Sequence, residues 1–204
     1  MRLRRLARLA LVVTLAVAAA GLALGCESGA DAGTETYSDS VYGFSFDYPA
    51  DWKAFTSETA GVTSGADPAA VVTVGDPEGA RVDGTGLDLF MVRVYELSRV
   101  VDASALSEVR PDLESLIADL QSQDPTWKVE EPLTETSVGG IPGYQITSSF
   151  DWDADTPVKT TSYFLFDGNI EYQLVLQAAT ENWEADQALF AAILASFQAG
   201  MTAQ

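Results

Sequence analysis

Asp151-Trp152-Asp153-Ala154-Asp155 sets three carboxylates at alternate positions, and oxygens so placed suit a hard cation such as Ca²⁺ or Mn²⁺. An EF-hand loop counted from Asp151 would carry Gly at its sixth position and Glu at its twelfth. Thr156 and Ser162 stand there instead. The metal reading is therefore that of a non-standard site, and the competing expectation is a solvated acidic hairpin tip. Trp152 continues the Tyr144/Ile146/Phe150 face on strand alternation, which predicts core packing. A strand that frays before it would leave the indole exposed among acids, as a contact for a basic partner. Other chemistry is scarce. The chain has no His and one Cys. That excludes imidazole bases, Ser-His and Cys-His nucleophile pairs, intramolecular disulfides and Cys-rich zinc sites. Lys159 lies near Ser162, but in an extended strand their side chains point to opposite faces. Asp83-Gly84-Thr85-Gly86 lacks the spacing of a phosphate loop and precedes a strand. A protein that is not an enzyme and uses no cofactor is expected.

The single cysteine carries a different chemistry. Arg2, Arg4, Arg5 and Arg8 form a positive start, an apolar run follows, and the run ends in Leu22-Ala23-Leu24-Gly25-Cys26. Charge, apolar stretch and small residue make the layout of a secretory signal. The Cys directly after Gly25 resembles a bacterial lipobox, which implies cleavage before Cys26 and lipid attachment to it. The charge-free stretch 9–26 is marginal for a spanning helix of about 20 residues. Each buried methylene contributes about 0.8 kcal/mol, so two or three acyl chains hold where one binds marginally. Positive residues stay inside, so the rest of the chain faces outward from the cytoplasm at the cell membrane.

The charge that remains is one-sided. From Cys26 onward 7 basic residues face 30 acidic ones, about −23, against −19 for the whole chain. Such a body repels nucleic acid and bare anionic lipid and attracts cations or a basic partner. The organisation expected is a leader over 1–25, a lipid-bearing Cys26 with a flexible linker to 36, one domain over 37–198 and a tail over 199–204. The linker is rich in Gly, Ala and Asp, with a reach on the order of 15–20 Å.

Strand signals dominate the domain. Phe44, Phe46 and Tyr48 alternate with Ser45 and Asp47, a half-buried strand that Pro49 stops. A β-branched run over 70–74 ends at Gly75-Asp76-Pro77. The stretch 87–97 is apolar on both faces, which predicts a central strand covered on both sides. A meander follows, with a strand ending near Trp152, a turn over 153–157 and a returning strand over 158–166. Asp167-Gly168-Asn169 reads as a hairpin turn into a strand lined by Ile170, Tyr172, Leu174 and Leu176. Leu106, Val109, Leu113, Leu116, Ile117 and Leu120 fall at helical spacing, with Pro111 beginning or kinking that helix. A second helix spans 183–197, with Asn182 as its N-cap and Glu184 in its first turn.

The residues Tyr42-Gly43-Phe44-Ser45-Phe46-Asp47-Tyr48-Pro49-Ala50-Asp51-Trp52 resemble the opening of PsbP-like domains, where a Gly-Phe strand enters a Tyr-Pro-x-x-Trp turn. Gly139-Gly140-Ile141-Pro142-Gly143-Tyr144 is similar to the start of that family's meander. Gly168-Asn169-Ile170-Glu171-Tyr172, Trp183 and Ser196-Phe197 resemble its closing strand and helix. The resemblance covers nearly all of 37–198. It implies an α+β fold, an antiparallel β-sheet covered by helices as an α/β/α sandwich. It implies no particular activity, because the family holds extrinsic photosystem II subunits, Ran-binding relatives and many bacterial lipoproteins. The function expected is a lipid-anchored envelope protein that binds or helps assemble another envelope component. The alternative is a lipoprotein that binds a small ligand or a divalent cation.

Overall fold

The alternation of Phe44, Phe46 and Tyr48 becomes one buried row of a strand, β2 (Phe44–Pro49), whose intervening Asp47 is exposed. This and all that follows come from a computed structural model, which describes residues 33–57 and 68–200. The leader over 1–25, Cys26, the linker up to 32 and the tail over 201–204 lie outside the described residues. The linker ends earlier than composition suggests. Thr34–Asp39 is strand β1, paired antiparallel with β2 from Thr34↔Pro49 to Asp39↔Phe44. Pairing to an aromatic strand outweighs the polar character of Thr34, Glu35 and Thr36. Ala32–Gln204 forms one compact unit.

The remaining strands are β3 (Lys53–Ser57), β4 (Ala70–Gly75), β5 (Arg81–Val82), β6 (Thr85–Gly86), β7 (Leu89–Val101), β8 (Lys128–Val138), β9 (Ile141–Asp153), β10 (Thr156–Ala179) and β11 (Gln198–Ala199). The helices are α1 (Leu106–Gln123) and α2 (Trp183–Ser196). Six strands form an antiparallel sheet in the order β3-β4-β7-β10-β9-β8. A smaller sheet runs β1-β2-β11, and β5 and β6 make a short hairpin. Adjacent residues of β10 show how the large sheet is covered. Phe164 joins the core under α1, with Leu106, Val109, Leu113, Tyr144 and Ile146. Leu165 joins the core on the other face, with Phe46, Phe90, Trp183, Phe190 and Ile193. Successive strand residues point to opposite faces, so α1 covers one face and α2 the other. The expected α+β architecture holds, and the α2 layer is shared with the small sheet.

Three local expectations are corrected. Asp167-Gly168-Asn169 does not reverse the chain: β10 is a single strand of 24 residues. Gly168 takes φ 65° and the register against β7 shifts between Gly168 and Ile170. The even positions change faces there, from Phe164 and Phe166 under α1 to Tyr172 and Leu174 under α2. A glycine with positive φ serves a bulge as well as a turn, and here the long neighbour β7 continues the pairing. Pro111 stands inside α1, which starts before it at Leu106, so the proline does not begin the helix. Asn182 occupies the N-cap position of α2 but makes no capping bond; its side-chain amide donates to Asp88 Oδ2 at 2.8 Å.

Candidate interaction surface

The acidic tip is built by β9 and β10. Asp153 faces Thr156 across a two-residue turn, Ala154 and Asp155. Asp153 Oδ1 accepts the Asp155 backbone N–H at 3.0 Å. Bonds from Asp155 and Thr156 hold the Asp153 carboxyl below its ordinary value. Its charge thus serves its own turn, and the Asp151 N–H donates to Thr126 Oγ1 at 3.0 Å. Among the described residues no three His, Cys, Asp or Glu side chains come together in a group that could hold a metal ion. The alternate spacing of Asp151, Asp153 and Asp155 does not become a ligand cluster, since β9 ends at Asp153 and Asp155 lies in the turn.

Trp152 is exposed, 38% of its surface reaching solvent. The core reading fails here for a reason in the register. Asp151 pairs with Pro157 and Asp153 with Thr156, so Trp152 has no residue opposite it. Among the described residues its ring contact is half-buried Phe150, at 6.5 Å between centroids. Phe150 itself borders a small core of Leu87, Val158 and Ala179. Trp152→Ala is expected to change stability by less than about 1 kcal/mol in urea denaturation, as for other exposed positions. A loss of 3 kcal/mol or more, as buried Trp truncation gives, would contradict the exposed placement. Of the other tryptophans, Trp52 and Trp183 are core residues and Trp127 is half-buried beside the α1 core.

A buried carboxylate that sequence reasoning did not single out organises the opposite end of β10. Asp88 is 3% exposed. Its Oδ2 accepts the Ala80 N–H at 2.8 Å and the Asn182 side-chain amide at 2.8 Å. Its Oδ1 accepts the Ala179 N–H at 2.9 Å. One side chain thus ties the loop before β5, the end of β10 and the start of α2. The sequence signal was a lone acid inside the apolar stretch Leu87-Asp88-Leu89-Phe90. Burial, with Asp88 and Asp76 nearby, pushes the Asp186 carboxyl of α2 up.

Two clefts flank α1. One of about 180 Å³ lies beside Val101, Val109, Leu113, Phe166 and Glu171. Burial raises the Glu171 carboxyl above its ordinary value, against an opposing bond from the Gln173 amide at 2.8 Å. A carboxyl raised by folding adds stability that is complete below its unfolded pKa and is lost as pH rises through its folded one. Glu171→Gln is therefore expected to flatten the loss of stability that urea denaturation should show as pH rises through and above the ordinary carboxylate range; an unchanged pH profile would contradict this. The second cleft, about 230 Å³, runs between α1 and β8 and is lined by Arg110, Ile117, Val129, Pro132, Leu133 and Ile146. Arg110 spans it: Nε donates to Glu114 at 2.8 Å, Nη2 donates to the Leu133 carbonyl at 3.1 Å, and its guanidinium sits 5.6 Å from the Tyr144 ring centre. Both clefts fall short of the roughly 300–1,000 Å³ of small-molecule sites. They suit a protruding side chain better than a whole ligand.

Comparison with known proteins fits this geometry. The profile of the family described as PsbP-like protein matches residues 26–199. The chain belongs to the PsbP-like protein family. No curated protein matches its sequence. Among solved structures, the PsbP-like chain is similar to cyanobacterial PsbP (CyanoP) from Synechocystis at TM-score 0.55 and 16% identity, covering 86% of this chain and 98% of that one. It is also similar to LpqN of Mycobacterium tuberculosis, a protein involved in cell envelope biogenesis, at TM-score 0.50 and 11% identity, covering 81% and 90%. At these identities the likeness speaks for the PsbP-like fold alone.

Proposed function

We propose that this PsbP-like protein is a non-catalytic lipoprotein, anchored through Cys26 on the outer side of the cell membrane, which binds or helps assemble another envelope component. The observation that carries this reading is Cys26 itself, set between an Arg-led apolar segment and an acidic domain. Because β1 begins at Thr34, only residues 27–33 join the anchor to the domain. Seven extended residues reach at most about 25 Å, so the domain works close to the membrane surface. The name of LpqN supports an envelope role by analogy of fold. Among the described residues no helix is long and apolar enough to cross a membrane.

Cys26→Ser is expected to move the protein out of the membrane fraction and to abolish its labelling by a palmitate analogue. Unchanged fractionation and labelling would contradict the anchor. The divalent-cation reading of Asp151, Asp153 and Asp155 separates from this one in a thermal-shift titration. Millimolar Ca²⁺ or Mn²⁺ is expected to leave the melting temperature unchanged; a shift that Asp153→Asn removes would favour the cation.

A further inference from the structure

We propose that the cleft between α1 and β7 receives one Arg or Lys side chain of the protein partner, with its cation set against Glu171. This deepens the accessory reading and rests on it. The cleft, about 180 Å³, has room for a single long side chain, and its wall is apolar: Leu97, Val101, Val109, Leu113 and Phe166. Arginine and lysine lay their methylene stems on such a wall and keep the charge at the tip. What the cleft lacks is a cation for its own carboxylate. Glu171 is bonded by the neutral Gln173 amide at 2.8 Å. Among the described residues the ion pairs are Arg99–Glu108 and Arg110–Glu114, and neither includes Glu171. Arg99 also lines the cleft, but its Nη1 lies 2.8 Å from Glu108, which is outside the lining. Asp112 of α1 adds a second carboxylate, this one exposed. A carboxylate in apolar surroundings costs stability unless it is paired. A glutamine at 171 would accept the same bond without that cost, so the fold itself makes no use of the charge. An incoming cation does.

The place of the cleft fits a partner met away from the anchor. The tether enters where the Gly33 carbonyl accepts the Ala50 N–H at 2.7 Å, just before β3. Register carries that end of the sheet across from Lys53 to Gly75 and on to Leu89, the start of β7. Leu97 and Val101 lie at the far end of the same strand, about 25–40 Å from Leu89 along it. The two most exposed large hydrophobics among the described residues stand at this far end as well. Val100, 64% exposed, is the neighbour of Val101 on β7. Val41, 80% exposed, precedes Tyr42, whose hydroxyl donates to Glu96 of β7 at 3.2 Å. Apolar contacts around one buried basic anchor make the usual pattern of an interface hot spot, and arginine is enriched there.

The test uses Ala32–Gln204, a compact unit by itself. Its backbone amide signals are followed by NMR while N-acetyl-arginine amide is titrated in. N-acetyl-citrulline amide, of nearly the same shape but uncharged, is titrated beside it. The arginine probe is expected to shift the signals of Leu97, Val101, Val109, Leu113 and Glu171. It is expected to bind about tenfold tighter than the citrulline probe, as one hydrogen bond to a charged group gives. Glu171→Gln is expected to erase that preference while its melting temperature at neutral pH equals or exceeds that of the parent. A lower melting temperature would show that the charge serves the fold and would overturn the proposal. Equal binding of the two probes would overturn it in favour of an uncharged occupant. Shifts spread over the acidic surface would overturn it in favour of bulk charge. Undiminished capture of a native partner by the anchored Glu171→Gln chain would overturn this cleft and leave the accessory reading standing.

Discussion

Asp88→Ala is expected to lower the free energy of unfolding by about 3–5 kcal/mol. The buried carboxylate accepts three hydrogen bonds, from Ala80, Ala179 and Asn182. Hydrogen bonds to a charged group contribute about 1.5–3 kcal/mol each, and a buried donor left without an acceptor costs about 1–3 kcal/mol. The three are not additive, since Asn182 is half-buried and can turn toward solvent. Asp88→Asn preserves the shape and keeps one accepting oxygen, so about half the loss is expected. Urea denaturation gives both values, with an unchanged denaturant slope expected if only the native state is weakened. A loss below about 1 kcal/mol for Ala would mean that the carboxylate does not tie the β5 loop to α2.

The second large effect is expected at Gly143. A Cβ on this residue would stand 2.0 Å from the Phe164 carbonyl oxygen and 2.9 Å from the Leu165 Cα. Those atoms are backbone of β10, so no side chain can turn aside. Gly143 pairs with Leu165 at the end of the β9–β10 ladder, where both faces of the sheet are buried. Gly143→Ala must push the strands apart or break the register, and a loss of about 3 kcal/mol or more is expected. Gly84 provides the contrast. It has φ +82° but nothing within 4 Å of a Cβ. Gly84→Ala should cost only about 1 kcal/mol, the strain of a left-handed residue. Thermal melts of the two variants order the effects; a Gly143 variant as stable as the Gly84 variant would contradict the close approach of β9 and β10.

The strands were legible where a period of two met a single buried face, as in Phe44, Phe46 and Tyr48. The covered central strand was legible from its two apolar rows, although Leu89 and Met91 are only half-buried. What the sequence hid were events that change the count. Gly168 looks the same whether it turns a hairpin or bulges a strand, and only the pairing with β7 decides. The extra residue at Trp152 likewise belongs to the register of two strands, not to the periodicity of one. The α1 stripe was read whole, yet Leu116 and Leu120 near its end are exposed, because burial depends on what the opposing sheet presents and not on the spacing of the helix alone. Asp88 carried a signal, an acid enclosed by apolar neighbours, but its three donors come from residues 80, 179 and 182. Three-dimensional convergence of that kind leaves no local pattern.

The most direct measurement is a cross-linked pull-down of the full chain from its native membrane, with Cys26→Ala beside it. The expected result is one protein partner captured in stoichiometric amount by the anchored form and absent from the variant. An anchored protein that captures no partner would contradict the accessory role and turn attention to a small ligand or an ion.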